Sequence, residues 1–236
     1  MSPQTNSLGF LYLDQNGLLL YTTGTSAVIQ FAFPIDLVRD LEVINKELLQ
    51  KEIRTLIKNN NLAPARYIIA LSENVLFEKP FHDSKSLETQ KEIQEFLDNM
   101  PFEHTTTIIF ENAESKLIAT NKDLYQSLVR ILQQEGSVVE YILPSYVLGV
   151  DVTRALSMTK ELLLEVHRKA PSLRQYSFLT DAIASPQNHQ AEALKPSGVQ
   201  VEKKSDPEKK RIFLLVGVFV FLLAILGIVI LITFRK

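Results

Sequence analysis

The sequence predicts an α/β domain followed by one membrane-spanning helix, and three observations predict it. Short runs of β-branched and alternating apolar residues take turns with segments whose apolar residues recur every three and four positions, the pattern of strands and helices sharing one core. Ile212 to Phe234 is a run of 23 residues without a charged side chain; as a helix it is roughly 35 Å long, enough to cross a bilayer, and it lacks the polar face of a core helix. Between the two, residues 184–211 place prolines at 186, 196 and 207 among polar and charged residues, with no apolar period.

Within the domain each element has its own reason. Leu8 to Leu13, Gly17 to Thr22 and Ala27 to Phe33 read as an antiparallel meander, with Asn16-Gly17 favouring a type I′ hairpin turn. A helix is expected from the N-cap Asn45, with Leu48, Leu49, Ile53, Leu56 and Ile57 on one side. Arg66 to Leu71 and Val75 to Phe81 are strands around Ser72-Glu73-Asn74. Leu87 to Met100 is a helix with Ile93, Phe96, Leu97 and Met100 on its stripe, stopped by Pro101, which disfavours helical geometry in the residue before it. Thr105 to Phe110 and Leu117 to Thr120 are strands, and Asn121 caps a helix bearing Leu124, Leu128, Ile131 and Leu132 that Gly136 can end. Val138 to Leu143 is a further strand, and Thr153 to Lys169 a last helix with Leu156, Leu163 and Val166 inward.

The expected organisation is a disordered 1–6, a domain over 7–183, a flexible tether over 184–211, a span over 212–234 and a tail of Arg235 and Lys236. A coil of the tether's length holds the domain roughly 30 Å from the membrane. The first residues show neither the basic nor the apolar region of a secretory signal, and Lys203, Lys204, Lys209, Lys210 and Arg211 precede the span. Both point to a single-pass protein of the inner membrane with its N-terminal domain in the cytoplasm. Gly217 and Ala224 mark a small-residue face through which two spans could pair as a homodimer.

Chemistry finds little footing in these residues. The chain has no cysteine, which excludes a disulfide framework and thiol catalysis, and its net charge of −2 argues against nucleic acid as a partner. His82, His104, His167 and His189 show no metal-ligand spacing, and there is no phosphate-binding Walker loop or Gly-x-Ser-x-Gly elbow. Glu92 and Glu95 fall on the solvated side of their helix. No catalytic, cofactor-binding or metal-binding residue is assigned, and no cofactor is expected.

From Asn45 to Asp151 the order of elements, "YIIALSENVLFEKPF", "IQEFLDNMPFEHTTTIIF" and "KLIATNKDLYQSLVRILQQEGSVVEYILPSYVLGVDV", resembles the PilM family, actin-like cytoplasmic proteins of type IV pilus assembly. No one of these motifs is specific; their order carries the resemblance. It implies an actin-like (ribonuclease H-like) half-fold with a small α/β subdomain inserted at about 72–120, truncated to the first half of the family's fold. Soluble PilM proteins are recruited by a short segment of the bitopic membrane protein PilN in a groove beside that subdomain. The secretion protein GspL instead joins an actin-like domain to its own span, and the present chain is similar to that arrangement.

The departures matter as much. In the family's first phosphate loop an Asp-x-Gly-(Ser/Thr) arrangement is usual, whereas here Asp14 lies three residues before Gly17 with no hydroxyl after it, and Gly24-Thr25-Ser26 has no preceding acid. After about Lys169 the second phosphate loop is not found. The resemblance therefore implies a non-enzymatic, membrane-anchored scaffold of a pilus or type II secretion-like assembly. Its partners would be a PilN-like bitopic protein and the bilayer. Met100, Pro101 and Phe102 are the partner-binding candidates, Phe102 first, on the expectation that they stay exposed at the helix-to-strand corner; the alternative reading of the same residues is that Pro101 and Phe102 stop a helix and plug the core. Two rival readings are an actin-like ATPase completed by a second chain, and a tail-anchored vesicle-fusion protein with a longin-like head. The second needs heptads before the span that residues 184–211 do not contain.

Overall fold

The computed structural model describes residues 7–82, 86–110 and 115–179. The tether, the predicted span, Gly217 and Ala224 lie outside them. Among the described residues no helix is long and apolar enough to cross a membrane.

The first strands form because their apolar residues alternate between two faces that are both covered. β1 (Leu8–Asp14), β2 (Gly17–Thr22) and β3 (Ile29–Ala32) pair antiparallel in sequence. β6 (Arg66–Leu71) adds parallel to β1, and β10 (Val138–Pro144) adds parallel to β6, giving a five-stranded sheet of order β10-β6-β1-β2-β3. Leu11, Leu13, Tyr67, Ile69 and Leu71 point to one core; there they meet Leu49, Ile53 and Ile57 of α1 (Lys46–Asn59) and Leu124, Leu128 and Ile131 of α3 (Lys122–Gln134). Phe10, Tyr12, Ile68 and Ala70 point to the other, against Leu148 of α4 (Ser145–Leu148), Ala155 of α5 (Val152–Leu156), and Leu163 and Val166 of α6 (Lys160–Lys169). A strand buried on both faces reads as an unbroken apolar run, and β6, RYIIAL, is one. A 3-10 segment, Ala170–Tyr176, follows α6, and beyond it the Phe178 amide donates to the Ile142 carbonyl at the outer edge of β10.

Between β6 and α3 the chain builds a second, antiparallel sheet of order β7-β9-β8 from β7 (Phe77–Phe81), β8 (Thr105–Phe110) and β9 (Ser115–Asn121). α2 (Leu87–Asp98) covers one face of it. Lys79 on that face pairs with Glu92 of the helix at 3.2 Å, and Leu117 and Phe81 are buried. α2 itself buries no residue fully, and its stripe residues Ile93, Phe96 and Leu97 are half-buried.

Local expectations hold where a side chain decides them. Asn45 Oδ1 accepts from the Leu48 amide and Asn121 Oδ1 from the Asp123 amide, each at 2.9 Å, and Gly136 leaves α3 with φ 82°. Three others are corrected. The first hairpin turns on Gln15-Asn16, neither of which has a positive φ, and Gly17 follows the turn in a nearly extended conformation; a Cβ on Gly17 would lie 2.3 Å from the Phe31 carbonyl oxygen, which is why glycine stands there. The type I′ geometry appears instead in an unforeseen ribbon of β4 (Val38–Arg39) and β5 (Glu42–Val43), whose loop residues Asp40 and Leu41 have φ of 51° and 68°. Leucine disfavours that region, and two interactions hold it: its side chain is buried in the core, and Asn121 Nδ2 donates to its carbonyl at 3.0 Å. The last helix is broken at Ser157-Met158-Thr159, because Thr159 caps α6 by accepting from the Leu162 amide. Leu156 consequently ends α5 and is 45% exposed rather than inward.

Candidate functional site

β1, β6 and β10 run in the same direction, and their C-terminal ends lie beside the three-stranded sheet; that edge is where open α/β sheets place ligands. Asp14 ends β1. Its Oδ1 accepts from Ser72 Oγ at 2.5 Å and from Asn74 Nδ2 at 2.9 Å, and the Ser72 amide donates to the Leu13 carbonyl. These bonds tie the first hairpin to the turn after β6. Tyr12 lies buried beside them. Burial pushes its phenol up, the carboxylates of Asp14, Asp151 and Glu73 push it further, and a hydrogen bond with Ser145 works the other way. Asp151 is itself engaged, accepting from the Arg154 amide at 2.8 Å. The Gly24-Thr25-Ser26 turn is closed on itself: Thr25 Oγ1 donates to the Thr22 carbonyl at 2.9 Å, and the Gly24 amide donates to Thr22 Oγ1.

The seam between the two sheets is polar at its rim and aromatic within. Lys116 of β9 places Nζ 2.7 Å from Glu78 Oε2 of β7, and 4.7 Å and 5.7 Å from the ring centres of Tyr146 and Phe110. Tyr146 of α4 donates its hydroxyl to Glu78 Oε1 at 3.0 Å. Phe110 meets Tyr146 edge-on at 6.0 Å and Tyr176 at 4.4 Å. Burial first, then the Glu78 charge, pushes the Tyr146 phenol far above its ordinary range. The arrangement joins subdomain to sheet.

The corner singled out in the sequence is differently placed than expected. Phe102 is 3% exposed and rests edge-on against Phe77 at 5.5 Å, and Met100 is buried too; only Pro101 is open to solvent. The expectation that Phe102 and Met100 remain exposed for a partner is overturned, because Phe102 packs into the core against Phe77 and Met100 is buried at the end of α2. Of the histidines, His82 is exposed, His104 pairs with Asp123 at 3.2 Å, and His167 binds the Gly9 carbonyl oxygen through Nε2 at 2.9 Å; His189 lies outside the described residues. Among the described residues no group of His, Asp and Glu side chains is arranged to hold a metal ion. The seam residues Glu78, Lys116, Tyr146 and Tyr176 carried no signal in the sequence, where each stands 30 positions or more from the next.

The sequence matches no protein-family model and no curated protein. Two solved structures are similar in part. One is a PilM-PilN type IV pilus biogenesis complex, with 16% identity and a TM-score of 0.41, covering 60% of this chain and 48% of that one. The other is the cytoplasmic domain of EpsL, an inner-membrane component of the type II secretion system of Vibrio cholerae, with 12% identity and a TM-score of 0.37, covering 61% of this chain and 59% of that one. The chain thus spans about half the length of these proteins, and at such scores the likeness carries no weight for function.

Proposed function

We propose that the chain is a non-enzymatic scaffold, carried on its own membrane span and tether, that recruits a partner of a pilus or type II secretion-like assembly at the cytoplasmic face. The fold in this reading is an actin-like half with an inserted subdomain. The strand order, three antiparallel strands followed by two parallel ones with helices on both faces, supports it.

The observation that carries the non-enzymatic part is the engagement of Asp14. A carboxylate that oriented a nucleotide's metal would face open space, whereas this one binds Ser72 and Asn74 and sits among other carboxylates. The test is thermal melting of the full chain in neutral detergent with and without Mg-ATP. A ligand at a hundred times its Kd adds about 2.7 kcal/mol of stability. No shift is expected; a clear shift, abolished by Asp14→Ala, would replace the scaffold with an ATPase completed by another chain. The recruiting part is tested with a synthetic peptide of the cytoplasmic segment of a PilN-like protein encoded nearby, expected to bind the full chain saturably. Protease added to spheroplasts is expected to leave the domain whole.

A further inference from the structure

Acidic residues outnumber basic ones in the domain, yet one face runs against that balance. α1 and α3 lie side by side with their N-termini together. Lys46 of α1 reaches Asp123 of α3 at 3.2 Å near one end, and Arg54 bonds Gln134 and pairs with Glu135 at the other. Between them is a groove with a cavity of about 300 Å³ and, along the outer flank of α1, a second hollow of about 350 Å³. Lys122, Arg130, Lys51 and Lys58 line these hollows, and the side chain of none of the four has a hydrogen-bond or ion-pair partner among the described residues.

The acids nearby do not neutralise them. Asp123 is spent on Lys46 and His104; burial raises its carboxyl, but the hydrogen bonds from those two residues outweigh burial and hold it below its ordinary value. Glu135 is spent on Arg54. Glu47 is the one lining carboxylate without a partner among the described residues. The cations, by contrast, are spread. Lys122 and Arg130 stand about 12 Å apart along the axis of α3, and Lys51 and Lys58 about 10 Å apart along α1. Carboxylates on every fourth residue of an extended chain, about 13 Å apart, match that spacing. Gln50 and Gln126, between the cations, offer amide groups to a peptide backbone. The groove has no apolar side chain among its lining residues to anchor in lipid, and its one lining aromatic ring, His104, is held by Asp123 at 3.2 Å.

We propose that the α1–α3 groove is the docking site for an acidic peptide segment of a partner protein. This rests on the scaffold reading and gives its partner a chemistry. The test uses the full chain in neutral detergent and a fluorescein-labelled dodecapeptide of serine with glutamate at every fourth position, read by anisotropy. Saturable binding is expected, weakening steeply with added salt. Lys122→Glu with Arg130→Glu should weaken it tenfold or more, and Lys122→Gln with Arg130→Gln several-fold. Lys160→Glu with Arg168→Glu on α6, the same change in net charge elsewhere, should leave it unaltered. Melting curves of each variant identify any that fail to fold, and the glutamine pair then decides. Binding unaltered in both groove variants, equal loss in the α6 variant, or displacement of the peptide by millimolar inorganic phosphate would overturn the proposal. So would capture of the chain by phosphatidylglycerol vesicles that depends on Lys122 and Arg130. None of these outcomes touches the Mg-ATP and topology tests, so the groove can fail while the scaffold stands.

Discussion

Phe102 and Phe77 meet edge to face, with ring centres 5.5 Å apart and planes at 67°, although they belong to a loop and a strand separated by the whole of α2. The contact closes the end of the three-stranded sheet under the helix. Truncating a buried phenylalanine costs about 3 to 5 kcal/mol, transfer and cavity terms together. Phe102→Ala is therefore expected to lower the melting temperature of the full chain by many degrees. Pro101→Ala, at an exposed position, should change it little. An unaltered melting curve for Phe102→Ala would return this residue to the surface.

Gly9 in β1 lies directly under the Tyr67 ring of β6. A Cβ there would stand 2.4 Å from Cε1 of a side chain that is 1% exposed, and the Gly9 carbonyl oxygen is bonded by His167 on α6. Neither the ring nor the strand has room to move, so Gly9→Ala should destabilise by about 1 to 3 kcal/mol, the usual cost of overpacking. Replacing Tyr67 with leucine in the Gly9→Ala background should recover part of that loss in chemical denaturation. No recovery would place the strain elsewhere.

Glu140 is an acid-sensitive carboxylate. The His167 imidazole, 3.6 Å away, is the main influence holding its carboxyl below the usual range; burial opposes it, and the Arg66 guanidinium at 3.0 Å assists. A depressed folded-state value means that the stabilisation is present above the unfolded carboxyl's ordinary value and lost as pH falls through the folded one. Stability of the wild type should fall more steeply than that of Glu140→Gln on acidifying from pH 5 to pH 3, by about 1 kcal/mol for a partly exposed charged hydrogen bond. Parallel acid limbs for the two proteins would refute the coupling.

What the sequence revealed and what it hid divide along a physical line. Elements set by neighbours in the chain were legible: the caps at Asn45 and Asn121, the left-handed exit at Gly136, and the stripe Leu124, Leu128, Ile131 and Leu132, all buried. Features set by distant contacts were not. Whether the corner at Phe102 is exposed depends on Phe77, which no local pattern connects to it. The β4–β5 ribbon depends on two non-glycine residues held at positive φ by Asn121 and the core. The α1–α3 groove was hidden for the same reason: Lys122 and Arg130 face Lys46 and Gln50 only once two helices some 70 residues apart are laid together. The break before α6 is the exception: its cap at Thr159 is local, but it was masked by an otherwise continuous helical period.

The seam gives the last prediction. Glu78 accepts from both Lys116 and Tyr146, while Lys116 also lies over the Tyr146 and Phe110 rings, so three elements of the subdomain and the main sheet converge on one carboxylate. Tyr146→Phe removes one donor and leaves the ion pair, a loss of about 1 kcal/mol. Glu78→Gln removes the charge opposite Lys116, leaving a partly buried ammonium with only the rings for company, and should cost more. If the seam docks the subdomain, the two substitutions should also differ from core damage in where they act. Hydrogen exchange should quicken in β7, β8 and β9 of the Glu78→Gln protein while the amides of β1 and β6 keep their protection, since a weakened junction opens the smaller unit before the larger one. Uniform quickening across both sheets would mean that the two unfold as one body and that the seam is only part of a common core.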